Sequence, residues 1–207
     1  MRRFPIVPTL VVLLAVGAMI GLGLWQLQRA QWKEGLLARY RAAATAPPLA
    51  GLPTGDLPDS LGFRKASLDC VVAGTPIQLG GQGPDGAPGF RSVLPCRLTD
   101  GRQILADIGW QRVGSALPGP ASGRTLSAAG VLVPDDVLAQ RFADRSVRPM
   151  PWLIVLETPQ PGFAPSKPPA IETIPNNHRG YAVQWFLFAA VALAIYGLAI
   201  RRRWLNR

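Results

Sequence analysis

The sequence predicts a membrane protein in which two transmembrane helices flank a β-rich external domain, an antiparallel barrel or sandwich. Three observations lead there. An uncharged apolar run long enough to cross a bilayer lies near each end, basic residues gather around both runs, and short alternating or β-branched segments separated by Gly- and Pro-rich turns fill the middle. The chain has 207 residues and a net charge of +10, yet residues 46–172 hold eleven Lys and Arg against eleven Asp and Glu. The whole excess therefore sits in the flanks, where Glu34 is the single acid. A nucleic-acid-binding protein clusters its cations on the binding domain; here they bracket apolar runs, which argues against nucleic acid and for membrane lipid as the partner.

The first run, residues 6–27, follows Arg2 and Arg3 and precedes Arg29, Lys33, Arg39 and Arg41. A crossing needs about 20 apolar residues, because backbone polar groups in hydrocarbon must pair within the helix. A cleaved signal peptide is the competing reading, since Ala15, Gly17 and Ala18 are small, but its apolar core runs to only about 7–15 residues. An uncleaved anchor is expected. Gly17 and Gly21 are spaced as GxxxG, which either admits another helix closely or is a chance pair of small residues. Residues 28–45 have helix-forming composition and should prolong the crossing as a juxtamembrane helix, stopped by Pro47 and Pro48.

The external region, residues 46–180, offers strands at 66–73, 76–80, 90–98, 103–109, 125–133 and 152–157. Asp100-Gly101 should supply the positive φ angles of a tight hairpin between the third and fourth. Residues 81–89 (GQGPDGAPG) read as a loop, 135–142 as a short helix capped by Asp135 and Asp136, and 158–170 as a proline-rich return to the membrane. The second crossing, residues 181–200, runs into Arg201, Arg202, Arg203 and Arg207, which places the 201–207 tail in the cytoplasm. Two crossings then put residues 1–5 on the same side and the β-rich region outside. Trp25, Trp32, Tyr181 and Trp185 fall at the expected outer interface, where amphipathic rings are favoured.

Sites of chemistry are few. Cys70 and Cys96, both on expected strands, are compatible with a disulfide, with two buried thiols or with a redox or metal pair, and spacing alone does not choose among them. No HExxH, GxSxG or phosphate-loop pattern occurs, a Ser67/Lys65 dyad has nothing to distinguish it from an ordinary strand face, and no enzyme is expected. His178 is the sole histidine. If the second helix begins a little early, His178, Tyr181 and Trp185 share one face with Phe188 and Ala192, a surface suited to a flat aromatic ligand, with the imidazole as an axial ligand to haem iron. Equally, Asn176, Asn177 and His178 can cap the helix and bond to headgroups or loop carbonyls.

The two end segments together resemble the Surfeit locus protein 1 family, the membrane-bound assembly factors of haem-copper cytochrome c oxidase. Gly23-Leu24-Trp25-Gln26-Leu27-Gln28-Arg29 with Trp32-Lys33 looks like the family's first motif. Asn176-Asn177-His178 with Tyr181-Ala182, Gln184, Trp185 and Phe186 looks like its second. Gly109-Trp110 resembles the end of the family's central strand, although Asp107 and Ile108 stand where asparagine and arginine are usual, and Arg179 replaces an apolar residue. The resemblance implies a bacterial, non-catalytic chaperone of the plasma (inner) membrane, its main domain periplasmic, that helps deliver haem a to oxidase subunit I. It implies His178 as the haem ligand, Gly23 as a position intolerant of a side chain, and Trp25, Gln26, Tyr181 and Trp185 as supporting cofactor-binding groups. Oxidase subunit I, other assembly factors and a possible further copy of the chain are the partners it implies. The alternative is a scaffold that holds nascent oxidase subunits and never touches haem.

Overall fold

A computed structural model describes residues 5–115, 119–143 and 147–205. Arg2, Arg3 and Arg207, read above as markers of the cytoplasmic side, lie outside the described residues. The chain divides into two compact units, one formed by the two end segments and one by residues 38–173.

In the first unit, helix α1 (Ile6–Thr45) runs unbroken through both the apolar run and the expected juxtamembrane segment, and its last eight residues belong to the second unit. Helix α3 (His178–Leu205) starts three residues before and ends five residues after the expected crossing. Both are long and apolar enough to cross a membrane. They pair antiparallel: the Thr9 and Tyr196 hydroxyls hydrogen-bond, Gly23 faces Phe186 and Gln26 meets His178, positions that rise along α1 as they fall along α3, and Glu34 meets Arg179 at the start of α3. The protected positions Val16, Gly23 and Ala30 are spaced by seven, as are Ala182 and Ala189, the periodicity of a helix seam. The GxxxG glycines are off that seam, for a Cβ at Gly17 or Gly21 would meet nothing within 4 Å.

The second unit is a barrel. Its strands are β1 (Leu49–Ala50), β2 (Lys65–Val72), β3 (Ile77–Gln82), β4 (Pro88–Leu98), β5 (Gln103–Arg112), β6 (Thr125–Pro134) and β7 (Trp152–Leu156). The sheet runs β1-β2-β6-β7-β5-β4-β3 and closes on itself where β2 pairs with β4 over three residues, Cys70–Val72 against Cys96–Leu98. Pairing is antiparallel except β5–β7 and the two-residue β1–β2 contact. Alternation sorts the side chains: Leu68, Cys70 and Val72 of β2, Ile104, Ala106 and Ile108 of β5 and Trp152, Ile154 and Leu156 of β7 fill one core. The opposite faces, with Val93, Leu105, Leu153 and Val155, are covered by Leu138 and Phe142 of helix α2 (Asp136–Ala143), whose Asp135 side chain accepts the Leu138 amide. Cys70 and Cys96 form a disulfide across the closing seam, Cα atoms 5.5 Å apart.

Two expectations are corrected. Residues 81–89 are not all loop, because Gly81 and Gln82 end β3 and Pro88 and Gly89 begin β4. Gly83 and Gly89 make room for the Trp110 ring: a Cβ on Gly89 would lie 2.4 Å from it, and one on Gly83 2.9 Å. At the Thr99–Arg102 hairpin, only Gly101 takes a positive φ, 86°; Asp100 instead accepts the Arg102 amide.

Candidate functional site

The end of the helix pair where α3 begins brings together Gln26, Glu34, His178 and Arg179. His178 opens α3, where a helix has unpaired amides and Asn177 supplies the carbonyl for the Tyr181 amide. Its Nδ1 lies 2.7 Å from Oε1 of Gln26. A carbonyl oxygen can only accept, so Nδ1 carries the proton, and in the neutral ring the Nε2 lone pair is left to a ligand. This is the way a metal-binding imidazole is held by a second group that fixes its tautomer and plane. One turn below, a Cβ on Gly23 would come within 2.6 Å of the Phe186 ring. Glycine is thus needed there for α1 and α3 to approach at this height, which accounts for the expected sensitivity of the position through helix contact.

Because α3 begins at His178, that residue shares one helix face with Tyr181 and Trp185, and the face is largely open. Tyr181 and Phe188 are 50% and 56% exposed, and the residue that α3 buries after His178 is Ala182. Trp185 is half-buried and meets Phe188 edge to face, ring centres 6.1 Å apart. Trp25 is 54% exposed. The arrangement offers an oriented imidazole beside an open aromatic surface. It is not an enclosed cavity.

Sequence reasoning missed two polar contacts. Arg179 grips Glu34 with both ends of its guanidinium, Nε to Oε1 and Nη2 to Oε2 at 3.0 Å each. The signal available was that Glu34 is the one acid of the flanks and Arg179 the cation beside the histidine. In the barrel, Asp107 is completely buried, accepting the Ser166 hydroxyl at 2.6 Å and the Gly109 amide at 3.0 Å. Arg91 Nε lies 2.9 Å from its other oxygen, a charge contact poorly aligned for a hydrogen bond. Burial pushes the Asp107 carboxyl up from its ordinary value, and Arg91, Ser166 and Gly109 only partly offset this. Ser166 belongs to the proline-rich return, which is also tied down by paired amides and carbonyls of Trp110 and Ala164 and by the Gln160 amide on Ile108. Gly109 permits the close passage, with φ 132° and space for no Cβ against Phe163.

Lys65 pairs with Glu157 at 2.7 Å. Among the described residues no group of three His, Cys, Asp or Glu is placed to hold a metal ion. A cavity of about 510 Å3 lies on the barrel, lined by Ser67, Asp69, Asp100, Arg102 and Ser127 among others, all in the second unit.

A membrane-associated protein with two spanning-length helices, a closed β-barrel and one oriented histidine at a helix end is the class these features define. The family model that matches, over residues 13–190, is the SURF1 family, and the chain belongs to it, a family known for cytochrome oxidase assembly. A SURF1-like protein of Rickettsia felis is 25% identical over 215 residues, covering 90% of this chain and 94% of its own length. One of Monosiga brevicollis is 27% identical, covering 90% and 85%. One of Dictyostelium discoideum is 32% identical over 101 residues, 44% of this chain, and this chain spans only 37% of its length.

Proposed function

We propose that the protein helps deliver haem a to subunit I of a haem-copper oxidase, holding the haem transiently with His178 as an axial ligand and performing no catalysis of its own. The observation that carries this reading is the 2.7 Å contact between His178 Nδ1 and Gln26, which leaves Nε2 to bind iron. Haem is here a cargo, and the residues suit a cargo: one imidazole, with Tyr181, Trp185 and Trp25 as apolar surface on an open helix pair, gives retention without enclosure. Subunit I, other assembly factors or lipid would complete the site and take the haem onward, and a further copy of the chain could share it.

The protein is placed in the bacterial inner membrane, crossing twice, with residues 46–180 in the periplasm. Arg201, Arg202 and Arg203 after the second crossing support that orientation, and the Cys70–Cys96 bridge suits an oxidising compartment. The visible spectrum of detergent-purified protein co-expressed with haem a synthesis tests the reading. A Soret band that is lost or shifted in His178→Ala, with folding unchanged, is the expected result. No band in the wild type would leave the scaffold that holds oxidase subunits as the working account.

A further inference from the structure

We infer that Arg179 is a carboxylate-binding subsite for the haem propionates, held closed by Glu34 until a haem arrives; this rests on the haem reading of His178. Arg179 follows His178 directly at the start of α3, so the cation and the proposed axial ligand diverge from one backbone point. Each is held from α1, His178 by Gln26 and Arg179 by Glu34 two turns further along. A haem carries its two carboxylates on one edge, to the side of the iron, and a planar guanidinium is the group that takes a carboxylate through two parallel hydrogen bonds. Arg179 already shows that geometry with the Glu34 carboxylate as the occupant.

The occupant is exchangeable. The two side chains are 71% and 42% exposed, so solvent screens their attraction and an incoming carboxylate of the same chemistry can replace Glu34. The local charge favours the exchange, because Arg29, Lys33 and Arg179 face Glu34 as the only acid of the flanking segments. Arg29 is itself stacked over Trp32, 4.0 Å from the ring centre, which keeps a second cation at this level of the helix. A pair whose purpose were to staple α1 to α3 would lose function when either partner was removed. A gated subsite responds in opposite directions.

The test is a Soret titration of the full-length protein, prepared without haem in zwitterionic nanodiscs so that no lipid anion competes. The probes are iron protoporphyrin IX and its dimethyl ester, which has no free carboxylate. For the wild type the diacid should bind roughly tenfold tighter than the diester, the scale of a charge-assisted bidentate contact. Arg179→Leu should abolish that preference, Arg179→Lys should keep part of it, and Glu34→Gln should strengthen diacid binding severalfold while leaving the diester unchanged. Equal affinity of the wild type for both probes, or weaker diacid binding in Glu34→Gln, overturns the subsite. These outcomes are separable from failure of the haem reading. A diacid preference that depends on Arg179 but survives His178→Ala upholds the subsite and removes the histidine as ligand, whereas no band with either probe in the wild type overturns both.

Discussion

In the barrel, Asp107 has no exposed surface, and its partners Arg91, Ser166 and Gly109 come from β4, the return segment and β5. In the helix pair, His178 is half-buried with one ring nitrogen engaged by Gln26, and Arg179 is 71% exposed in its pair with Glu34. The first arrangement is closed: a ligand could reach Asp107 only by breaking the return segment away. The second is held in place yet open to an incoming group. Buried polar networks of the first kind specify a fold, and pre-oriented, accessible groups of the second kind are what binding needs. The helix ends therefore present the accessible groups, while the barrel's buried carboxylate serves the fold.

The largest expected effect breaks the barrel's side of that contrast. Asp107→Ala leaves the Arg91 guanidinium, only 20% exposed, without its counter-charge, which should cost about 3–5 kcal/mol in a urea unfolding midpoint. Adding Arg91→Leu should recover part of the loss, because the uncompensated charge is then gone. Haem titration of the folded fraction should be unaltered. A loss of haem binding in folded Asp107→Ala would join the two regions and refute their independence.

Next in size is the seam. The β2–β4 contact that closes the barrel is three residues long, and the disulfide crosses it at a sequence separation of 26. Cys70→Ala with Cys96→Ala should destabilise the barrel by about 3 kcal/mol, seen as a lower melting temperature that reducing agent lowers no further. The Soret titration should again be unchanged.

In the helix pair the corresponding test uses two glycines. Gly23→Leu places atoms where the Phe186 ring stands and should cost about 1–3 kcal/mol in helix association, measured by a fluorescence pair on α1 and α3, with partial rescue by Phe186→Ala. Gly17→Leu, with open space around its Cα, should do nothing comparable. Equal losses at both positions would mean that the seam lies elsewhere on α1.

The legibility of these regions in the sequence differs for physical reasons. Period-two alternation in β2, the hydrophobic run of β7 and the Asp-Gly turn are local signals, and they gave the six long strands within a few residues. Strand β1 was missed because a two-residue parallel contact has no period to read. The 81–89 segment was misread because glycine has two uses: at Gly89 it serves close packing against Trp110, and composition alone reports a turn. Barrel closure through β2–β4 and the β5–β7 pairing are non-local and invisible to any window. At the helix ends the motifs exposed Gly23, Gln26 and His178. The contacts between them, Gly23 with Phe186, Gln26 with His178 and Glu34 with Arg179, depend on the antiparallel register of two helices far apart in sequence, and no single-helix periodicity contains it.

The smallest expected effect is a slope with pH, and it again divides the two regions. Burial raises the folded-state value of Asp107 above the ordinary value of 3.8. The native state therefore holds this proton more tightly than the unfolded chain does, so protonation favours the fold. That contribution is complete below the unfolded value and is lost as pH climbs through the raised folded one, the opposite of a salt-bridged carboxylate whose value is depressed. Barrel stability, measured by urea midpoints at a series of pH values, should fall across that window in the wild type relative to Asp107→Asn, in which the group cannot ionise while an oxygen still accepts from Ser166 and Gly109. Parallel curves for the two proteins would mean that Arg91 compensates the charge fully, leaving a neutralised ion pair in the barrel where the buried carboxyl is now held to favour its proton.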